Sequence, residues 1–210
     1  MQNHNRGTWN MKKKMKIIIL IFVVAVLAFL YAHIDKNTYL YDRDTPSETY
    51  AGTGILKGGE ELEQTFVSQE ELLDGINIKC TIVGNVDQVV LEYTIRDNQT
   101  GKTSGGTVDG AEIKNNKFNS FKIPEISDAK GREYTIELKE TGSDEGNGIT
   151  FYVDSSRQFQ DSLTIRGEKT QGALVARTLT HRFDLETFIV LLGFIAFVVG
   201  FIRVLYKLFK

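Results

Sequence analysis

Two apolar blocks, one at each end, constrain this chain more than anything between them. Ile17 to Ala32 is a run of sixteen consecutive apolar residues. At about 1.5 Å per residue it is roughly 24 Å long, slightly short of a hydrocarbon layer of about 30 Å. Met15 and Ile34 extend it to spanning length, with Lys16 snorkelling to the interface. The second block runs from Phe188 to Ile202 and resumes at Val204, Leu205 and Tyr206, with Arg203 placed to snorkel. The layout expected is a basic tail over 1–14, a transmembrane helix over 15–34 and a linker over 35–50. A folded domain over 51–183, a second transmembrane helix over 185–206 and a short tail over 207–210 follow.

Charge sets the expected orientation. Arg6, Lys12, Lys13, Lys14 and Lys16 lie in the first 16 residues, which contain no acid. The positive-inside rule places that end in the cytoplasm. Arg203, Lys207 and Lys210 put the other end on the same side, so residues 35–183 are expected outside the cell membrane. A cleaved signal peptide shares the basic start and apolar core, but Leu30 and Tyr31 spoil a small-x-small cleavage site. Retention of the first helix is therefore the expectation. Ala25, Ala28 and Ala32 share one face of it, and Gly193, Ala196 and Gly200 repeat the spacing on the second. Small-residue faces let helix backbones approach closely in lipid, so these six are the expected seam of a helix hairpin.

The segment between, residues 35–183, holds 17 basic and 25 acidic side chains, a net charge of −8. That argues against nucleic acid as a partner and leaves the bilayer to the two helices. Residues 35–50 lack periodicity and contain Pro46. Beyond them the pattern has period two. Ile76, Ile78, Cys80 and Ile82 alternate with Asn77, Lys79 and Thr81. Leu91, Tyr93 and Ile95 oppose Glu92, Thr94 and Arg96; Tyr134, Ile136 and Leu138 oppose Thr135, Glu137 and Lys139. "ITFYVD" and "GALVARTL" read as further strands, and turn signals such as "DNQTGK" and "GSDEGNG" separate the runs. The expected fold is an all-β sandwich, jelly-roll-like, flanked by two transmembrane helices. One helical turn is expected at "SQEELLDG", with Ser68 capping, Glu71 reaching back and Gly75 ending it.

Catalytic signatures do not emerge. The histidines are His4, His33 and His181, and no HExxH, GxSxG, phosphate-binding glycine loop or DxDxDG loop occurs. Cys80, the single cysteine, sits on an apolar strand face and reads as a buried, inert thiol. His33 and His181 fall near the outer membrane surface in the hairpin layout and read as interfacial polar residues; a metal pair would lack a third ligand. The carboxylates of "GGEELEQ", "SQEELLD" and "GSDEGNG" read as a solvated acidic surface. No metal and no cofactor is expected. Tyr152, pointing opposite to Phe151 and Val153, is the candidate glycan contact.

The order "EQTFV", "LLDGINIKCTIVGN", "VVLEYTIRDNQTGK", "FNSFKIPEISDAKGREYTIELKE" resembles extracytoplasmic jelly-roll domains of multi-pass membrane proteins in Gram-positive bacteria, glycosyltransferase-like ones included. The positions that carry it are Gln64 and Phe66, Thr100 and Gly101, and Lys130, Gly131, Tyr134, Ile136 and Leu138, within residues 60–155. They are architectural, so the resemblance implies a fold and no catalytic set. It implies the accessory domain standing alone between two spans. The expectation is a non-enzymatic envelope protein whose sandwich binds glycan or a partner protein, accessory to a multi-pass glycosyltransferase. The rival readings are a carboxylate-based glycan-active enzyme and a membrane sensor or stress protein.

Overall fold

The computed structural model describes residues 4–156 and 163–209, with side chains from residue 14 onward. The chain divides into two units, Met1–Ile34 with Arg182–Lys210, and Asp35–His181.

The first unit is built on α1 (His4–Tyr31) and α2 (Leu185–Leu208), both long and apolar enough to cross a membrane. α1 begins well before the apolar block, so most of the expected basic tail is helical. Asp184 caps α2, its carboxylate accepting from the Thr187 N–H at 3.1 Å. Glu186 in the first turn and Lys207 in the last complement the helix dipole. The Asp184 N–H donates to the Ala32 carbonyl at 2.8 Å. Phe183 lies 5.1 Å from Phe29 and 5.4 Å from Phe188, which ties the end of α1 to the start of α2.

The expected seam is seen on one helix only. Ala28 and Ala32 are buried and Ala25 is half-buried. On α2 the half-buried positions are Thr187, Phe188, Leu191, Leu192, Ile195, Val198 and Leu205, whereas Gly193, Ala196 and Gly200 are exposed. Open space stands where a Cβ would be on Gly193 and Gly200. The shielded stripe of α2 follows the three-then-four spacing of a left-handed helix pair, so large side chains mark its seam where glycines were expected.

The second unit is a pair of antiparallel sheets. β1 (His33–Tyr39), β2 (Ala51–Ile55), β4 (Leu73–Val83), β7 (Lys117–Ile126), β9 (Gly148–Asp154), β12 (Ala173–Leu174) and β13 (Ala176–Phe183) form the first sheet. Its order is β1-β13-β4-β9-β12, with β2 added to β9 and β7 to β4. β3 (Glu61–Val67), β5 (Val90–Asp97), β6 (Thr103–Asp109), β8 (Glu133–Thr141), β10 (Leu163–Ile165) and β11 (Glu168–Thr170) form the second, in the order β11-β10-β3-β8-β5-β6. One hydrophobic core takes side chains from both sheets. Ile76, Ile78, Cys80, Phe121 and Phe151 from the first meet Leu62, Leu91, Ile95, Tyr134, Ile136 and Leu138 from the second. The alternation read in β5 is the alternation of burial; β4 and β8 follow it except that Asn77 and Thr135 are also buried and Ile82 is only half-buried. The Tyr93 hydroxyl, from the second sheet, donates to the Lys122 carbonyl of the first at 2.7 Å.

Two expectations need correction. No helical turn forms at residues 68–75. The Ser68 N–H donates to Arg132 O and its carbonyl accepts from Gly131 N, so pairing with the turn before β8 displaces the local cap. Gly75 ends no helix; it sits in a bulge of β4 at φ +152°, where a Cβ would lie 2.3 Å from the Phe121 carbonyl. Residues 35–50 are also more than a linker. Residues 35–39 belong to β1, and the Leu40 N–H donates to Ala176 O at 2.9 Å.

Candidate binding face

Because strand residues alternate, the residues between the core positions of the first sheet point to its outer side. On that side stand Tyr39 of β1, Lys79 of β4, Phe118 of β7, Tyr152 of β9 and Arg177 of β13. Lys79 and Phe118 are direct cross-strand partners, as are Arg177 and Asn77 one register pair away. Segment 40–50 then contributes Tyr41 and Tyr50. Tyr41 is the buried centre of the group. Its ring lies 5.5 Å from Tyr39, 5.9 Å from Tyr50 and 6.2 Å from Phe118, edge-on to the tyrosines and stacked on the phenylalanine. Ala173, Val175 and Tyr152 complete this second hydrophobic cluster, separate from the main core.

Three cations lie on the rings. Arg43 sits 4.7 Å from the centre of Tyr39, and Arg177 sits 4.3 Å from Phe118 and 6.0 Å from Tyr39. The Lys79 ammonium is 5.2 Å from Tyr50 and 5.0 Å from Tyr152. Such geometry is worth about 0.5–2 kcal/mol per contact, rising with desolvation. The segment is pinned by Asp154, which is buried and accepts from Asp42 N at 3.0 Å, Ser156 N at 3.0 Å and Ser156 Oγ at 2.6 Å. Burial by itself would raise its pKa, but these donors together hold it below the usual carboxylate value. Burial raises Tyr41, with Tyr50 and Tyr39 adding to the rise and the two arginines opposing it. Burial also raises Tyr50, helped by Asp154 and Asp42.

The residues singled out from sequence fall elsewhere or take other roles. Tyr152 does point away from the core, but it is half-buried beneath Lys79 and is one member of a cluster. Tyr39, Tyr41 and Tyr50 were hidden in a stretch without periodicity; the repeated tyrosines there were the available signal. Cys80 is buried, its pKa pushed up to about 12 by desolvation, and Asn119 Nδ2 donates to its sulfur at 3.2 Å. His181 Nδ1 pairs with Asp35 Oδ1 at 2.8 Å, and His33 Nδ1 lies 2.9 Å from Phe29 O. Among the described residues no three His, Cys, Asp or Glu are grouped to hold a metal ion.

The acidic loops are partnered. Glu60 accepts from Arg166 at 2.7 Å, Glu61 pairs with Lys139 at 2.7 Å and Glu70 with Lys36 at 2.6 Å. Glu145 pairs with Lys57 at 3.0 Å, and Asp144 accepts from Gly146 and Asn147 within its own loop. One carboxylate lies inside the sandwich. Glu140 of β8 is fully buried, with Oε1 accepting from Leu56 N at 3.3 Å and Oε2 from Ile149 N at 2.9 Å. Burial lifts its pKa to about 7 against the opposition of both N–H groups and Arg166. It joins the backbones of Leu56 and Ile149, the residues next after the Ile55–Thr150 pair of β2 and β9.

No protein-family model and no curated protein matches this chain.

Proposed function

We propose that this is a non-enzymatic, membrane-anchored envelope protein whose β-sandwich binds glycan through the outer side of its first sheet. The observation that carries the reading is the aromatic cluster of Tyr39, Tyr41, Tyr50, Phe118 and Tyr152 on that side, laced with cations. Aromatic surface beside charged donors is the composition of a saccharide or protein contact. The two apolar helices supply the anchor, and the basic residues before α1 and after α2 favour both chain ends in the cytoplasm with residues 35–183 outside. The likeness to extracytoplasmic domains of multi-pass envelope enzymes suggests a glycosyltransferase-like protein as neighbour.

Two measurements test this. A cysteine at exposed Lys102, in a Cys80→Ser background, is expected to react with a membrane-impermeant maleimide in intact cells. Reaction only after permeabilisation would reverse the topology. The detergent-solubilised full chain is expected to be retained on immobilised envelope polysaccharide; passage without retention would remove the glycan reading.

A further inference from the structure

We infer that the glycan taken by this face is anionic: Arg43, Lys79 and Arg177 recognise carboxylate or phosphate groups carried on a polysaccharide. The inference rests on the glycan reading above and narrows its substrate class.

Elsewhere in the sandwich, cations pair with carboxylates. Arg96, Arg132 and Arg166 each pair with a carboxylate: Arg96 with Glu137, Arg132 with Asp97 and Arg166 with Glu60. Lys36, Lys57, Lys130 and Lys139 do likewise. Arg43, Lys79 and Arg177 have no ion pair with any described carboxylate; the exposed Lys102, Lys114, Lys117 and Lys122 lack one too, and what sets the three apart is that each lies on an aromatic ring. They gather on one face of a segment whose net charge is −8, where acids are abundant. Two carboxylates beside Tyr50 of the cluster are turned to other tasks. Asp154 accepts three hydrogen bonds, and Asp42 Oδ1 accepts from Asp44 N.

Arg177 makes the point most clearly. Its Nε is shielded from solvent and donates to nothing described, and ring contacts hold the guanidinium. A guanidinium fixed by stacking keeps its terminal N–H donors for a planar or tetrahedral anion. Ring faces covered by cations offer less room for a neutral sugar to stack. A membrane surface fits less well, because Tyr41 is buried and its neighbours are half-buried, leaving few rings to insert at an interface.

The test uses the full chain in phosphatidylcholine nanodiscs. Binding is measured to polygalacturonate and to a phosphorylated mannan, with dextran as the neutral polymer and phosphatidylglycerol vesicles as the anionic membrane. At least one anionic polymer is expected to bind about tenfold more tightly than dextran, and the Arg43→Gln, Lys79→Gln, Arg177→Gln triple variant to lose that preference. Arg96→Gln, on the other sheet, is expected to bind as the parent does. Should the triple variant fail to fold, Arg43→Gln alone is expected to weaken binding about threefold, its side chain being exposed. Equal binding to dextran would overturn the anionic inference and leave the glycan reading standing. Unchanged binding by the folded triple variant, or binding to the vesicles alone, would overturn it as well. No binding to any polymer would overturn both.

Discussion

The outer sides of the two sheets manage charge in opposite ways. On the second sheet, Arg96 reaches across to Glu137 at 2.6 Å and Glu63 at 3.7 Å, Lys139 meets Glu61, and Thr65 and Thr135 share a hydrogen bond of 3.1 Å. On that surface these charges answer one another across the strands. On the first sheet Arg43, Lys79 and Arg177 lie on aromatic rings, and His181 of β13 pairs with Asp35 of β1 at 2.8 Å. One sandwich thus carries a self-satisfied side and an unsatisfied one, and the unsatisfied side is where a partner gains most.

The largest expected effect comes from the charge between the two sheets. Glu140 ionises in the folded chain near pH 7, whereas an unfolded carboxyl does so near 4.5. Between those values the folded state holds a proton that the unfolded state has released. The contribution of Glu140 to stability is therefore greatest below about pH 4.5 and declines as pH rises to about 7, by up to about 3 kcal/mol. Denaturant titrations across that window, compared with Glu140→Gln, read the difference. A parent and variant with parallel pH profiles would mean that Glu140 is ionised throughout and that its two N–H donors outweigh its burial.

Next in size is Tyr41→Ala. It removes the centre of the aromatic cluster and is expected to cost about 2 kcal/mol of unfolding free energy, less than a deletion in the main core because the site lies at the surface. Segment 40–50 should also become more accessible to protease. A loss near zero would mean that the rings do not hold the segment down. The smallest effect is expected for Arg96→Ala on the second sheet, under about 1 kcal/mol, since its partners are partly exposed and screened. A cost rivalling that of Tyr41→Ala would erase the contrast between the two sides.

The strands with one buried side were legible in the sequence. β5 alternates cleanly, and β4 and β8 nearly so, because one set of side chains enters the core, and both helices announce themselves by length and lack of charge. What escaped was set by distant contacts. Ser68 and Gly75 carry the letters of a helix cap and stop, yet the backbone of Ser68 pairs with residues 131 and 132, and Gly75 lets β4 bulge against Phe121. β1 escaped because its alternation is only partial: His33, Ile34, Asn37, Thr38 and Tyr39 are all half-buried. The aromatic face was legible at Tyr152 alone. Its other members come from separate strands and from segment 40–50, and only the register of the first sheet brings them together.

Hydroxyl-radical footprinting of the full chain in nanodiscs, with and without isolated envelope polysaccharide, tests the central claim most directly. Saturating polysaccharide is expected to protect Tyr39, Tyr50, Phe118 and Tyr152 on the outer side of the first sheet, while Val67 at the end of β3 in the second sheet keeps its reactivity. Protection confined to the second sheet, or no protection under conditions where the polysaccharide is retained, would contradict it.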